Sequence, residues 1–171
     1  LGIWVNDALL ADGTIVRLGG EERVGGAPQL YGAPYFSEFR LECGLPIWRY
    51  KVGGAVLEKQ VMLPHAQNTV HITYRLVSGE GIVRLKIMPS LHFRSHEAPV
   101  STPLPTRFTP TAEEDRYEVA AGAELPLLRM MLYGQRTACT VETRKIPNVL
   151  FRIEGLRGYG HTGDLWNPGY F

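Results

Sequence analysis

Residues 36–96 read FSEFRLECGLPIWRYKVGGAVLEKQVMLPHAQNTVHITYRLVSGEGIVRLKIMPSLHFRSH, and this stretch decides the fold. Apolar and polar residues alternate along it with a period of two, which places successive side chains on opposite faces of a β-sheet. Ile72, Tyr74 and Leu76, for example, share one face, and the polar residues between them share the other. The stretch therefore predicts a meander of antiparallel strands.

Glycine-containing turns separate the strands of this meander. Gly53-Gly54 and the segment Ser78–Gly81 can adopt the positive φ values that tight hairpin turns require. We expect four strands to be neighbours in one antiparallel sheet: residues 47–52, 55–64, 68–78 and 81–89.

A proline-rich segment follows the meander. Residues 97–114, EAPVSTPLPTRFTPTAEE, contain four prolines and few large apolar residues, which predicts a long loop. Short strands are predicted beyond it at residues 115–120, 127–133, 137–143 and 147–154, and no stretch of about 12 residues has a capped helical pattern. Many short strands separated by turns are typical of an antiparallel β-sandwich. We therefore predict an all-β fold in which residues 1–171 form a single β-sandwich domain.

Charge and cysteine content restrict the class of partner. Lys and Arg number 18 and Asp and Glu number 17, so no long-range positive field is expected to attract nucleic acid or a membrane surface. No apolar run approaches the roughly 20 residues of a membrane span, and residues 1–13 lack the pattern of a signal peptide. Cys43 and Cys139 form no CxxC pair, which favours reduced thiols in the cytoplasm.

The chain ends indicate a fragment. The sequence begins at Leu1 without a methionine and stops at Phe171 inside an aromatic run, whereas domain boundaries usually lie in polar linkers. We expect the chain to be part of a longer polypeptide.

The sequence offers only weak candidates for a catalytic or metal-binding site. His92 and His96 have an H-x3-H spacing, but on a strand that rises about 3.3 Å per residue their rings lie about 13 Å apart, too far for one metal ion. No carboxylate pair stands out as the two acids of a glycoside hydrolase, and no GxSxG motif is present. We expect no catalytic residue, metal or cofactor in this chain.

Aromatic residues could contact a sugar, because a flat ring covers the apolar face of a pyranose. The candidate substrate contacts are Arg94, His96, Trp48, Trp166 and Tyr170. For Trp48 we favour the alternative that its ring fills the core, since buried aromatic residues dominate core energetics.

Three segments, LPIWRY, LEKQVMLPHAQNTV and PSLHFR, make the chain resemble the N-terminal domain of bacterial and archaeal glycogen debranching enzymes (amylo-α-1,6-glucosidases). The resemblance covers residues 36–98 and resumes in GDLWNPGYF at residues 163–171. It implies a supersandwich of the galactose-mutarotase-like type, truncated here at its N-terminal side. At residues 94–97 the chain reads Arg-Ser-His-Glu where the family commonly has Arg-Asp-aromatic-His, so Arg94 alone carries over.

In this family the catalytic acids lie in a downstream (α/α)6 barrel that removes the α-1,6-linked glucose at glycogen branch points. The resemblance therefore implies a non-catalytic N-terminal domain that packs on the barrel and shapes its cleft. Its partners would be that barrel and, through the parent enzyme, an α-glucan such as glycogen or limit dextrin. The loop 97–114 is the segment expected to reach the cleft.

Two alternatives remain open. The chain could be a free-standing carbohydrate-binding β-sandwich module, which requires an exposed aromatic platform. His96 and Glu97 could also act as base and acid on a sugar anomer, although adjacent residues on a strand point to opposite faces.

Overall fold

A computed structural model of the chain describes residues 2–10, 12–95 and 97–171, and residues 2–6 by their backbone alone. Strands make up 52% of the chain and helices 5%, with antiparallel sheets consistent with an all-β sandwich. The predicted fold class is confirmed.

The strands are β1 (Gly2–Leu9), β2 (Ile15–Arg17), β3 (Gly20–Glu21), β4 (Gln29–Leu30), β5 (Phe36–Glu42), β6 (Leu45–Val52), β7 (Ala55–Met62), β8 (His71–Ser78), β9 (Arg84–Ser90), β10 (Thr109–Glu113), β11 (Arg116–Ala120), β12 (Leu128–Met131), β13 (Thr140–Leu150) and β14 (Thr162–Tyr170). A short 3-10 helix spans Ala33–Tyr35, and a five-residue helix α1 spans Arg152–Leu156. No helix in the described residues is long and apolar enough to cross a membrane.

The chain folds into two compact units. The first comprises Leu1–Asn6, Gly20–Gln29 and Lys86–Phe171, and the second comprises Asp7–Gly19 and Leu30–Leu85.

The second unit is built on the four-stranded antiparallel sheet β5-β6-β7-β8. Two-residue turns join its first three strands: Cys43 and Gly44 have φ values of 51° and 80°, and Gly53 and Gly54 have 52° and 82°. Positive φ at both central residues gives a turn whose twist matches that of the flanking strands. These turns therefore set the register of β5 on β6 and of β6 on β7.

β9 does not join this sheet, so the prediction that residues 81–89 pair beside β8 is wrong. β9 belongs to a sheet of order β2-β1-β9. No two-residue turn follows β8. Gly79 instead has φ 123° and lies so close to the backbone of Ala55 that a side chain would clash there, and five residues separate β8 from β9.

The first unit contains the sheet β10-β11-β12 and the hairpin β13-β14. Leu91, Val119 and Trp166 form its main buried cluster, with Phe108 among the partly buried residues packed on it. Leu91 and Trp166 form an isolated antiparallel bridge, which connects the end of β9 to β14.

The strand and loop boundaries in this unit differ from the sequence-based expectation. The loop predicted at 97–114 ends earlier, because Thr109 to Glu113 form β10 and pair with β11. Pro110 is tolerated there because β10 is an edge strand, where a missing N–H breaks no ladder on the outer side. The two strands predicted at 137–143 and 147–154 are one strand, β13, which ends at Leu150 before α1.

Gly163 offers a test of the packing around β14. A Cβ at this position would overlap the backbone carbonyl of Val100, and a backbone group cannot move aside as a flexible side chain can. We expect Gly163→Ala to lower the free energy of unfolding, measured by urea denaturation, by about 1–3 kcal/mol, the usual cost of overpacking.

The control for this substitution is Gly26→Ala. At Gly26 the nearest atom to an added Cβ is the carbonyl oxygen of Arg23 at 3.6 Å, which is ordinary contact. Equal effects of the two substitutions would contradict the close approach of β14 to Val100.

Candidate functional site

The sheet β5-β6-β7-β8 carries two very different faces. Residues that lie directly opposite each other on neighbouring strands share a face. On one face the register aligns a charged row across all four strands: Glu38, Arg49, Glu58 and Arg75. On the other face it aligns an adjacent row: Phe39, Trp48, Lys59 and Tyr74.

Glu58 is the centre of the charged row. Its side chain is 3% exposed. Oε1 of Glu58 accepts from Arg49 Nη2 at 2.7 Å and lies 2.9 Å from Arg40 Nη1, while Oε2 accepts from Arg75 Nη2 at 2.7 Å. One buried carboxylate therefore holds an arginine from each of the other three strands of the sheet.

The arginines set the protonation state of Glu58. Hydrogen bonds from Arg40 and then Arg75 lower the pKa of the Glu58 carboxyl to about 2, against the opposing effect of burial. A carboxyl group with such a pKa is ionised at neutral pH and cannot act as a general acid. The charged row is a structural network and not a proton-transfer site.

Three other carboxyl groups also have pKa values below their ordinary values. Hydrogen bonds lower the pKa of Asp12, of Glu22 through Arg152, and of Asp164 through Lys145. Glycosidases need one acid whose pKa is raised. Within the described residues, every carboxyl pKa that clearly departs from its ordinary value departs downward.

We call the opposite side of the sheet the aromatic face, defined by Phe39, Leu41, Trp48, Lys59, Val61, Ile72, Tyr74 and Leu76. The rings of Phe39 and Trp48 lie 5.4 Å apart, inclined by 52°. Lys59 places its Nζ 5.6 Å from the centroid of the Trp48 ring. Phe39 is 51% exposed and Leu41 66% exposed, so much of this apolar face remains uncovered.

The opposite end of the same face is covered. Val52 packs with Leu10 and Val16 in a buried cluster, and Tyr50 packs against that cluster. Burial raises the pKa of Tyr50. The aromatic face is thus continuous with the core of the second unit at one end and open at the other.

Tyr74 is an exception to the usual pairing of buried polar groups. Its hydroxyl oxygen is buried and has no hydrogen-bond partner. Burial, and secondarily Tyr50, raises the pKa of this phenol, so the hydroxyl remains protonated.

Trp166 lies in the core of the first unit. Its side chain is 9% exposed, and its ring stacks on Phe108 at 4.2 Å with an interplanar angle of 5°. A sugar needs an open ring face, which Trp166 does not offer in this structure. Trp48, by contrast, is half-buried on the aromatic face of the second unit.

Tyr170 lies four residues after Trp166 on β14. Lys86 Nζ sits 4.0 Å from the centroid of the Tyr170 ring. Tyr170 also lines a small apolar pocket together with Tyr117 and Phe171, among other residues. The pocket belongs entirely to the first unit.

Arg94 is held within its own loop, where its guanidinium donates to the carbonyl of Ala98. Nearby, a nitrogen of His92 lies 2.9 Å from the carbonyl oxygen of Thr102, and burial lowers the pKa of this histidine. His96 lies outside the described residues. Within these described residues, no group of three His, Cys, Asp or Glu side chains could hold a metal ion.

The sequence analysis did not predict the charged row, although two turns in the sequence indicate part of it. A two-residue turn pairs residues equidistant from it, so the turns at 43–44 and 53–54 align Glu38 with Arg49 and Arg49 with Glu58. Arg75 could not be placed this way, because the long connection from β7 to β8 does not define a register.

Comparison with known proteins identifies the chain. The family model described as glycogen debranching enzyme N terminal matches residues 4–171. The chain belongs to this family, as the resemblance in the sequence indicated. No curated protein and no solved structure matches the chain significantly.

Glu58 gives a prediction with a defined pH dependence. Replacing it in Glu58→Gln leaves the arginines without their shared counter-ion. We expect the free energy of unfolding at pH 7 to fall by about 2 kcal/mol. This is below the usual cost of breaking a buried ion pair, because the arginines are partly exposed.

The sign of the pH effect follows from the lowered pKa of Glu58. Its stabilisation is complete above its ordinary pKa of 4.5 and disappears as the pH falls toward about 2. The difference in unfolding free energy between wild type and Glu58→Gln should therefore shrink over this range. Glu42→Gln, at an exposed partner of Arg40, is the control, and a difference that does not depend on pH would contradict the network.

Two substitutions of Trp166 test whether its ring is part of the core. Trp166→Ala removes a large buried ring and should lower the free energy of unfolding by about 3–5 kcal/mol, whereas Trp166→Phe should cost less because it preserves stacking on Phe108. Thermal denaturation of the two variants measures this order. A stable Trp166→Ala variant would show that the ring is not a core residue.

Proposed function

We propose that this chain is the non-catalytic N-terminal domain of a glycogen debranching enzyme that hydrolyses α-1,6-glucosidic branch points. In this proposal an (α/α)6 barrel elsewhere in the enzyme performs the hydrolysis, and this domain packs on the barrel and shapes its cleft. The family match over residues 4–171 is the observation that carries the proposal.

The electrostatics of the chain support a non-catalytic role. Hydrolysis of a glycosidic bond uses one carboxyl group as proton donor and a second as base or nucleophile. The most buried carboxylate, Glu58, is ionised and occupied by arginines. A group already saturated by charge-assisted hydrogen bonds has no capacity to protonate a leaving oxygen.

The loop after β9 is our candidate for reaching the cleft. Residues 97–108 contain no strand or helix where they are described. Contacts with the loop backbone, from Arg94 to Ala98 and between His92 and Thr102, hold its first part in place. Such a loop, anchored at its base, could present its far side to an α-glucan bound by the parent enzyme.

The parent enzyme would work in the cytoplasm. Cys43 and Cys139 are both free thiols, as expected of a protein kept in a reducing compartment.

The proposal predicts that glucose release requires the rest of the enzyme, which an activity assay can test. The full-length enzyme should release glucose from a branched limit dextrin, and the chain of residues 1–171 should release none. Circular dichroism of the same preparation must first show a folded β protein, so that inactivity is not a result of unfolding. Glucose release by the folded fragment would overturn the non-catalytic assignment.

A further inference from the structure

The connection between β1 and β2 contains Asp12-Gly13, the single Asp-Gly or Asn-Gly pair in the sequence. An aspartate followed by glycine is chemically labile, because glycine has no side chain to shield its amide nitrogen from the neighbouring carboxyl group. Both residues are exposed, as the tips of loops usually are. The pair is therefore a candidate site of spontaneous covalent change.

The reaction open to this pair is isomerisation through a cyclic imide. The amide nitrogen of Gly13 bonds to Cγ of the protonated Asp12 carboxyl group, and the amide proton leaves with a carboxyl oxygen and its proton as water. One water then opens the ring. When it adds at the main-chain carbonyl carbon of Asp12, the chain continues through the side chain. The product, isoaspartate, has the same mass and one additional methylene in the main chain.

In the folded hairpin both reacting groups form hydrogen bonds. The amide nitrogen of Gly13 donates to the carbonyl oxygen of Leu10 at 3.0 Å, and Oδ1 of Asp12 accepts from the amide of Thr14 at 2.9 Å. Hydrogen bonds from the backbone and then the side chain of Thr14 lower the pKa of the Asp12 carboxyl. The group is therefore ionised, whereas release of water requires it to be protonated. Ring closure thus requires these hydrogen bonds to open.

We propose that Asp12 is an isomerisation site that the closed connection between β1 and β2 protects, and that isoaspartate forms there only when this connection opens locally. Once formed, the longer main chain prevents the connection from closing in its original geometry. This inference goes beyond the proposed function and does not depend on it.

The modification would disturb the core of the second unit, because the labile pair lies between two core residues. Leu10 and Val16 are buried and pack with Val52. The amide of Leu10 donates to the carbonyl oxygen of Thr14 at 2.9 Å, which fixes the separation of the two ends of the connection. Leu10 also packs so closely on Gly53 that a Cβ there would overlap its side chain. An additional main-chain methylene therefore displaces a side chain that has little room to move.

The remaining aspartates serve as internal controls. Each of them is followed by a residue with a side chain, which shields the amide nitrogen that would have to attack. These pairs are Asp7-Ala8, Asp115-Arg116 and Asp164-Leu165.

The first experiment compares the rate of isomerisation in the folded and the denatured full-length protein. Isoaspartate is measured at each aspartate after incubation in buffer or in urea, by proteolysis and chromatographic separation of the peptide isomers of equal mass. We expect Asp12 to isomerise at least about tenfold more slowly in the folded protein, because an ordered turn is open only in a minor population. Equal rates at Asp12 in buffer and in urea would overturn the proposal.

The second experiment uses Asp12→Ser as the matched variant. A serine hydroxyl can still accept a hydrogen bond from the amide of Thr14, as Ser does in turns, but it cannot form the imide. Wild type and variant are incubated in urea and refolded, and their melting temperatures are compared with those of samples refolded at once.

We expect the melting temperature of the wild type to fall by several degrees as isoaspartate accumulates at residue 12, and that of Asp12→Ser to stay constant. Two results would overturn the proposed effect on the core. One is an unchanged melting temperature of the isomerised wild type, and the other is an equal fall in both proteins.

Discussion

The ion-pair network around Glu58 is the interaction on which the four-stranded sheet β5-β6-β7-β8 depends. Glu58 lies on β7, and its carboxylate holds Arg40 from β5, Arg49 from β6 and Arg75 from β8. A charge this deeply buried is tolerated only when it is paired and hydrogen-bonded. If any neighbouring strand shifted its register, Glu58 would lose its contact with the arginine of that strand. The network therefore strongly favours one register.

That register also determines the opposite face. Side chains alternate along a strand with a period of two, so the alignment that brings Arg49 to Glu58 also brings Trp48 to Lys59. On one side of the sheet, the residues of the charged row form ion pairs with one another. In the aromatic row on the other side, Lys59 lies over the Trp48 ring and the buried Tyr74 hydroxyl has no hydrogen-bond partner.

Local pattern predicted the sheet faces well and the long-range neighbours poorly. The shared faces of Trp48 with Tyr50 and of Ile72 with Tyr74 follow from alternation alone, and the glycine turn at 53–54 gave the β6–β7 pairing. The position of β9 could not be predicted, because alternation shows which way side chains point and not which strand they lie beside. α1 is too short, at five residues, to produce a helical pattern.

The sequence by itself determined the all-β class, the faces of the meander and the family to which the chain belongs, because period-two alternation, turn glycines and characteristic segments are local properties. Only the tertiary structure decided which side chains are buried and which are paired. Burial of Trp166 against Phe108, saturation of Glu58 by three arginines and isolation of the Tyr74 hydroxyl all arise between residues distant in the chain. Solvent access and charge pairing depend on those distant neighbours, which no local pattern specifies.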